Sequence, residues 1–313
     1  MTTGSRPTGT CFVVLAALLG LPAAASTAAP SIEGAATCPA YGDPAKRGRV
    51  PAALEELSGL AASRVHDDLY WAHNDSGNAF ELFAIDESGE IRAKFPLRGA
   101  EPRDIEDVAV GPCERGSSGT CVYLGDFGDN RYRRPEARIY RLREPEQLDG
   151  APLDVDVLRF RWPDGPRNAE AMVVEPGTGR IFVWTKEPRS LGVVHRIDGL
   201  EDGGVARAVV VREVLPVFPA DGLPTGADVH PSGERLLIRT YARTWELRRD
   251  GATRLEETLA ARPVLVPGAS QRQSEAVAYT HDGRSYLLGT EGTGGPLYEV
   301  GCVDDPPDPV LKD

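Results

Sequence analysis

The chain has 313 residues, 26% of them charged and 41% hydrophobic, with 47 acidic residues against 35 lysines and arginines and a net charge of −12. This length suits one large all-β domain, and the acidic balance sets aside nucleic acid and anionic lipid as partners held by bulk charge. Helical periodicity is scarce, and no run beyond the N-terminus approaches the roughly 20 apolar residues of a membrane helix, so no membrane span is expected.

The first residues read as a secretory leader. Arg6 precedes an apolar stretch from Cys11 to Leu21, and the small residues Ala23-Ala24-Ala25 follow; that is the layout of a signal peptide ending near residue 25, with a later cleavage option up to residue 29. An exported protein, secreted or periplasmic and of bacterial type, is expected. Loss of Arg6 with the leader takes the net charge to −13. Loss of Cys11 leaves four cysteines, an even number that points to disulfides in an oxidising compartment. Cys113 and Cys121 flank a short loop that must turn back between two strands, and pairing them would staple it. Cys38 and Cys302 lie near the two ends of the mature chain, and pairing them would join those ends. The other reading of Cys38, a lipid-modified cysteine, places it too far beyond the apolar core of the leader.

A short phrase then recurs along the chain. Ser58-Gly59-Leu60-Ala61, Glu106-Asp107-Val108-Ala109, Glu170-Ala171-Met172-Val173, Gly226-Ala227-Asp228-Val229 and Glu275-Ala276-Val277-Ala278 each open a set of short strands separated by turns. In the first set, strands are expected at Leu60-Ala61, Leu69–His73, Phe80–Ile85 and Ile91–Leu97, with Asn74–Asn78 as a turn whose side chains bond their own backbone. Four antiparallel strands in under 50 residues is the size of a propeller blade. The second, third and fourth sets follow the same order. The fifth supplies only three strands, so the stretch from Arg49 to Leu54 is expected to complete it, close the ring and leave no free sheet edge. A single all-β propeller over residues 38–303 results, five-bladed, or six-bladed if a degenerate blade hides between Arg143 and Asn168. The tail 304–313, with Pro306, Pro307 and Pro309, cannot extend a sheet.

This repeat grammar resembles exported bacterial β-propellers of the broad TolB-like, NHL and gluconolactonase-like superfamily. Ser58-Gly59-Leu60-Ala61 followed by Asn74-Asp75-Ser76-Gly77-Asn78 is most similar to the SdiA-regulated and phytase-like propeller groups, although the signature segments of the β-propeller phytases are absent. The resemblance implies a divalent cation at the central channel.

In a propeller the first strand of each blade lines the channel, so the residues that open it converge. The repeat alignment places Glu106, Glu170, Asp228 and Glu275 there, with Ser58 in the remaining blade. Several hard oxygen ligands suit a divalent cation, Ca²⁺ foremost; alternatively each acid accepts backbone N–H groups and fixes the ring. A second set closes the second strands: Asp75, Asp126, Lys186, Arg239 and Glu291. Asp75 and Asp126 would add metal ligands, while Lys186 and Arg239 would hold a small anionic group, or simply neutralise Glu170 and Asp228. The loop Gly125–Arg131 would either add a ligand or be an Asx-stabilised turn. His73 and Glu106 are the candidates for acid–base work, and no Gly-x-Ser-x-Gly elbow or His-rich zinc pattern occurs. Two functions stay open: a metal-dependent hydrolase of small phosphate esters or lactones, and a non-catalytic binding propeller with a structural ion or none. The protein is expected to be monomeric.

Overall fold

The computed structural model describes residues 37–116, 118–200, 204–218 and 221–304, besides Met1, Thr2 and Gly4. The rest of the expected leader, and the tail beyond Asp304, lie outside the described residues. In chain order come β1 (Ala40–Tyr41) and β2 (Ala45–Arg49), then a first sheet of β3 (Leu57–Ala62), β4 (Leu69–Asn74), β5 (Glu81–Asp86) and β6 (Ile91–Arg98). A second sheet follows, of β7 (Ile105–Pro112), β8 (Thr120–Asp126), β9 (Ala137–Arg143) and, after the two-residue β10 (Leu153–Asp154), β11 (Asp156–Arg161). The third consists of β12 (Ala169–Val174), β13 (Ile181–Thr185), β14 (Val193–Asp198) and β15 (Val205–Glu213). The fourth is β16 (Pro224–Val229), β17 (Arg235–Thr240), β18 (Thr244–Arg248) and, after the short helix α1 (Leu255–Leu259), β19 (Val264–Val266). The last is β20 (Ser274–Tyr279), β21 (Tyr286–Thr290) and β22 (Pro296–Val300), completed by β2, while β23 (Cys302–Val303) pairs with β1.

Within each sheet the four strands pair antiparallel in order, and the inner strands pack in a ring: β3 on β7, β7 on β12, β12 on β16, β16 on β20, and β20 back on β3. The fold is an all-β propeller. The segment between Arg143 and Asn168 adds no further sheet. Its β10 pairs parallel with the edge of β6, and β11 pairs both antiparallel with β9 and parallel with β15, which joins the second and third sheets along their rims.

Packing explains why the strands read as near-continuous apolar runs. Each sheet is covered on both faces, so alternate side chains enter different slabs of core. On β4, Trp71 packs with Phe95, Val108 and Tyr140 between the first and second sheets, while Tyr70 and Ala72 join Phe83, Leu287 and Leu297 between the first and last. Trp184 and Trp245 share the slab between the third and fourth sheets. Each fully buried large side chain contributes about 1.5–3 kcal/mol, and the tryptophans are spent on this packing, away from any open face.

Ring closure occurs, but a few residues earlier than the sequence pattern suggests. β2 pairs antiparallel with β22 from Ala45↔Glu299 to Arg49↔Pro296. Beyond it, the Val50 amide still donates to the Gly295 carbonyl at 2.8 Å. Pro51 then ends the pairing, having no N–H to donate, and Ala52–Leu54 forms a 3₁₀ turn that drops Leu54 into the core between the last and first sheets. Both disulfides form: Cys38–Cys302 joins the two ends with Cα atoms 5.5 Å apart, and Cys113–Cys121 staples the β7–β8 hairpin with Cα atoms 4.9 Å apart.

Candidate metal centre

Each inner strand opens with a β-bulge, where one residue is pushed off the ladder and re-aimed. The register shifts fall between Leu57 and Gly59, Ile105 and Asp107, Ala169 and Ala171, Pro224 and Gly226, and Ser274 and Val277. The bulged positions are therefore Ser58, Glu106, Glu170, Thr225 and, within the last shift, Glu275. The Ser58 hydroxyl donates to the Glu106 carbonyl at 2.7 Å, and the Thr225 hydroxyl donates to the Ser274 carbonyl at 2.7 Å. Two bulges thus lock onto the next sheet through a hydroxyl, and three carry glutamates into the mouth of the channel.

Asp228 is not one of the bulged residues, which corrects the repeat alignment. It lies three residues deeper on β16, where its carboxylate accepts the Val229 amide at 2.9 Å and the Tyr279 amide of the last sheet at 2.7 Å. Burial raises its pKa to about 6, with Arg64 opposing. Its role is to tie two sheets together.

Below the mouth the channel is filled. Asp107 accepts the Val108 amide at 2.9 Å and the Met172 amide at 2.7 Å, and also bonds the Ala227 backbone, so one carboxylate spans the second, third and fourth sheets. A side chain at Gly59 has no room, because a Cβ would lie 2.8 Å from His73 Nε2 and 2.9 Å from Asp107 Oδ1.

Above that plug the acids crowd. One carboxylate oxygen each from Asp75, Asp104 and Glu106 fall within 4.8 Å of one another. Asp75 follows β4, Asp104 precedes β7 and accepts the Ser76 hydroxyl, and Glu106 is buried. The backbone of the β8–β9 loop lies against this group at Gly128, where a Cβ would collide with Glu106 Oε1 and Asp104 Oδ2. Glu170 stands beside Glu106 and hydrogen-bonds to it. It accepts Lys186 Nζ at 2.9 Å and Asn168 Nδ2 at 3.0 Å, and Lys186 in turn donates to the Tyr241 hydroxyl at 2.9 Å.

Carboxylates held this close without matching donors resist ionisation. The Glu106 carboxyl is pushed well above the ordinary range by burial and then by Glu170, Asp75 and Asp104. Glu275 is raised to about 9 by burial, Glu170 and Glu291, and Asp75 to about 6, mainly by burial. Asp104 and Glu291 shift the same way. Burial opposes the charge on Lys186, yet Glu170 and the Tyr241 hydroxyl hold its ammonium above the ordinary value.

Several residues expected here lie elsewhere. Asp126 is fully buried and turned away from the cluster: it accepts the Asp104 amide at 3.1 Å, the Tyr140 hydroxyl, and Arg134 Nη2 at 2.8 Å. Asp129 accepts the Arg133 and Arg134 amides at 2.6 and 2.7 Å, so the Gly125–Arg131 loop is an Asx-stabilised turn whose acids are already committed. Arg239 is also fully buried, bonded to Thr244, Ala269, Gln271 and Ser274, and cannot receive an anion at the mouth. His73 is buried against Gly59. Its Nδ1 proton goes to the Asn74 carbonyl at 2.9 Å, and burial lowers its pKa to about 4. Asp104, Asn168 and Tyr241 were not anticipated. Only Asp104 carried a signal, as one of three acids in Arg103-Asp104-Ile105-Glu106-Asp107.

No family profile and no curated protein sequence matches this chain. Among solved structures, the crystal structure of a nidogen/laminin complex is similar at 15% identity, with a TM-score of 0.41, over 76% of this chain and 73% of that one. A likeness that low carries no weight beyond the strand pairings already described.

Proposed function

We propose that the protein is a five-bladed propeller whose mouth binds a divalent cation, Ca²⁺ by preference, through Asp75, Asp104 and Glu106, with Glu170 and Glu275 beside them. The observation that carries this reading is the convergence of those three carboxylates, two of them bonded only to Ser76 and none of them in a salt bridge among the described residues. Ligand oxygens 2.3–2.6 Å from a Ca²⁺ ion lie at most about 5 Å apart, which suits a group contained within 4.8 Å. Bound there, the ion would displace the protons that the crowded carboxyls otherwise keep.

The catalytic form of this reading is hydrolysis of a small phosphate ester or lactone, with the ion supplying Lewis acidity and Glu106 holding the proton to be moved. The non-catalytic form, a binding propeller with a structural ion, is favoured by one feature: at the mouth Lys186 is already paired with Glu170, and Arg239 is buried away from it. The leader and the disulfides fit an exported protein acting as a monomer.

Calorimetric titration of Ca²⁺ into the chelator-treated, oxidised mature protein tests the site. One equivalent should bind, and Glu106→Gln combined with Glu275→Gln should abolish it. Absence of binding by any divalent ion would mean that the carboxyls simply stay protonated. If binding is found, turnover of phosphate esters or lactones that disappears with the same substitutions would select the catalytic form.

A further inference from the structure

The other end of the propeller carries a separate pocket of about 490 Å³, between the first and last sheets and away from the mouth. It is lined by the β3–β4 turn with Asp67 and Asp68, the β5–β6 turn with Glu87, the β20–β21 turn with His281 and Asp282, and Glu299 of β22. Tyr70 of β4 forms part of the wall. Its side chain is 5% exposed, yet none of the described residues hydrogen-bonds its hydroxyl. Glu299, Glu87, Asp68 and Asp282 all lie close enough to add to burial in keeping that hydroxyl protonated.

Opposing charge is sparse. Arg47 pairs with Glu299 and reaches Glu87 at 3.9 Å, and His281 Nε2 lies 3.6 Å from Asp67 while its Nδ1 proton is given to the Ser63 carbonyl at 2.8 Å. Arg284 pairs with Asp304 and also acts on Asp282, which accepts the Thr280 hydroxyl at 2.6 Å and the Arg284 amide at 3.0 Å. Five acids therefore face two arginines and one histidine. They are also dispersed: among the described residues, three metal-ligating side chains come within 4.8 Å only at the mouth. A compact metal ion cannot reach several of them together, whereas an elongated organic cation can. One ammonium would donate to the tyrosine oxygen and others to the carboxylates.

We infer that this pocket binds an aliphatic polyamine, with the Tyr70 hydroxyl accepting one ammonium and Asp68 and Glu87 pairing with the rest. The inference is independent of the cation site at the mouth. Spermidine is the probe, titrated calorimetrically into the oxidised mature protein at physiological ionic strength. Saturable one-to-one binding is expected. Tyr70→Phe removes only the oxygen and leaves the charge unchanged, and should weaken binding roughly tenfold, as loss of one hydrogen bond to a charged group does. Asp68→Asn, which keeps a residue tolerant of the positive φ of 55° found there, should weaken it further. The mouth variant Glu106→Gln/Glu275→Gln should bind as the parent does, and thermal melting of each variant checks that it folds. Unsaturable binding, equal affinity in Tyr70→Phe, or loss in the mouth variant would each overturn the proposal, because diffuse attraction to an acidic protein or binding at the mouth would then account for the signal.

Discussion

Two groups of buried acids in this protein look alike in composition and behave oppositely. Asp107, Asp126 and Asp228 have their carboxylates occupied by backbone amides, a tyrosine hydroxyl or an arginine, and each joins segments that would otherwise separate. Glu106, Glu275, Asp75 and Asp104 are crowded with other acids, and the one ammonium among them, Lys186, is bonded to Glu170. Burial is common to both groups, so burial alone does not mark a site. What differs is the supply of donors: at the mouth Asp75 and Asp104 share Ser76, and a carboxylate so thinly supplied is where an external cation has something to do.

The comparison breaks most visibly at Asp126. Asp126→Ala leaves the Arg134 guanidinium buried without its partner, together with the Asp104 amide and Tyr140 hydroxyl that Asp126 accepted. A loss of about 3–5 kcal/mol is expected, read as a lower midpoint in urea unfolding. An unchanged midpoint would remove Asp126 from the structural group.

Asp228→Asn should cost less. The amide keeps the shape but offers one acceptor oxygen where two backbone N–H groups, of Val229 and Tyr279, require them. One buried donor is then unsatisfied, at about 1–3 kcal/mol. Calcium affinity at the mouth should not change, since Asp228 lies below it. A calorimetric loss of Ca²⁺ binding in this variant would return Asp228 to the ligand set.

Much of the architecture was legible because it rests on periodicity. The recurring Gly-apolar phrases and short alternating strands predict the sheets, and the even cysteine count predicts both disulfides. The site was legible only in part. Glu106, Glu170 and Glu275 were found because an acid at a repeat start is visible, and the same habit misaligned the fourth repeat on Asp228. Thr225-Gly226 is the true counterpart of Ser58-Gly59, a match carried by hydroxyl bonds to the next sheet that leave no acidic signature. Arg239 illustrates a different limit. Its place at the end of β17 follows from the sequence, but whether its guanidinium turns to the mouth or inward to Thr244 and Ser274 depends on packing between sheets. The closing strand was misplaced because Ala45–Arg49, rich in basic residues, lacks the apolar alternation of an inner strand, as an exposed outer strand can.

A third effect is opposite in sign. Glu275 has its folded-state pKa raised to about 9 from an ordinary 4.5. The unfolded chain therefore binds fewer protons at this group between those values, and stability falls as pH rises through that window. In chelator, the thermal midpoint attributable to Glu275 should be highest near pH 5 and should decline toward pH 9. Glu275→Gln cannot ionise, so it should flatten that decline and melt higher than the parent at pH 8. Added Ca²⁺ should reverse the order, stabilising the parent by mass action while leaving the variant behind. If Glu275→Gln instead lowers the midpoint at pH 8 in chelator, then Glu275 holds protein donors as Asp107 holds backbone amides, and the mouth belongs with the structural acids.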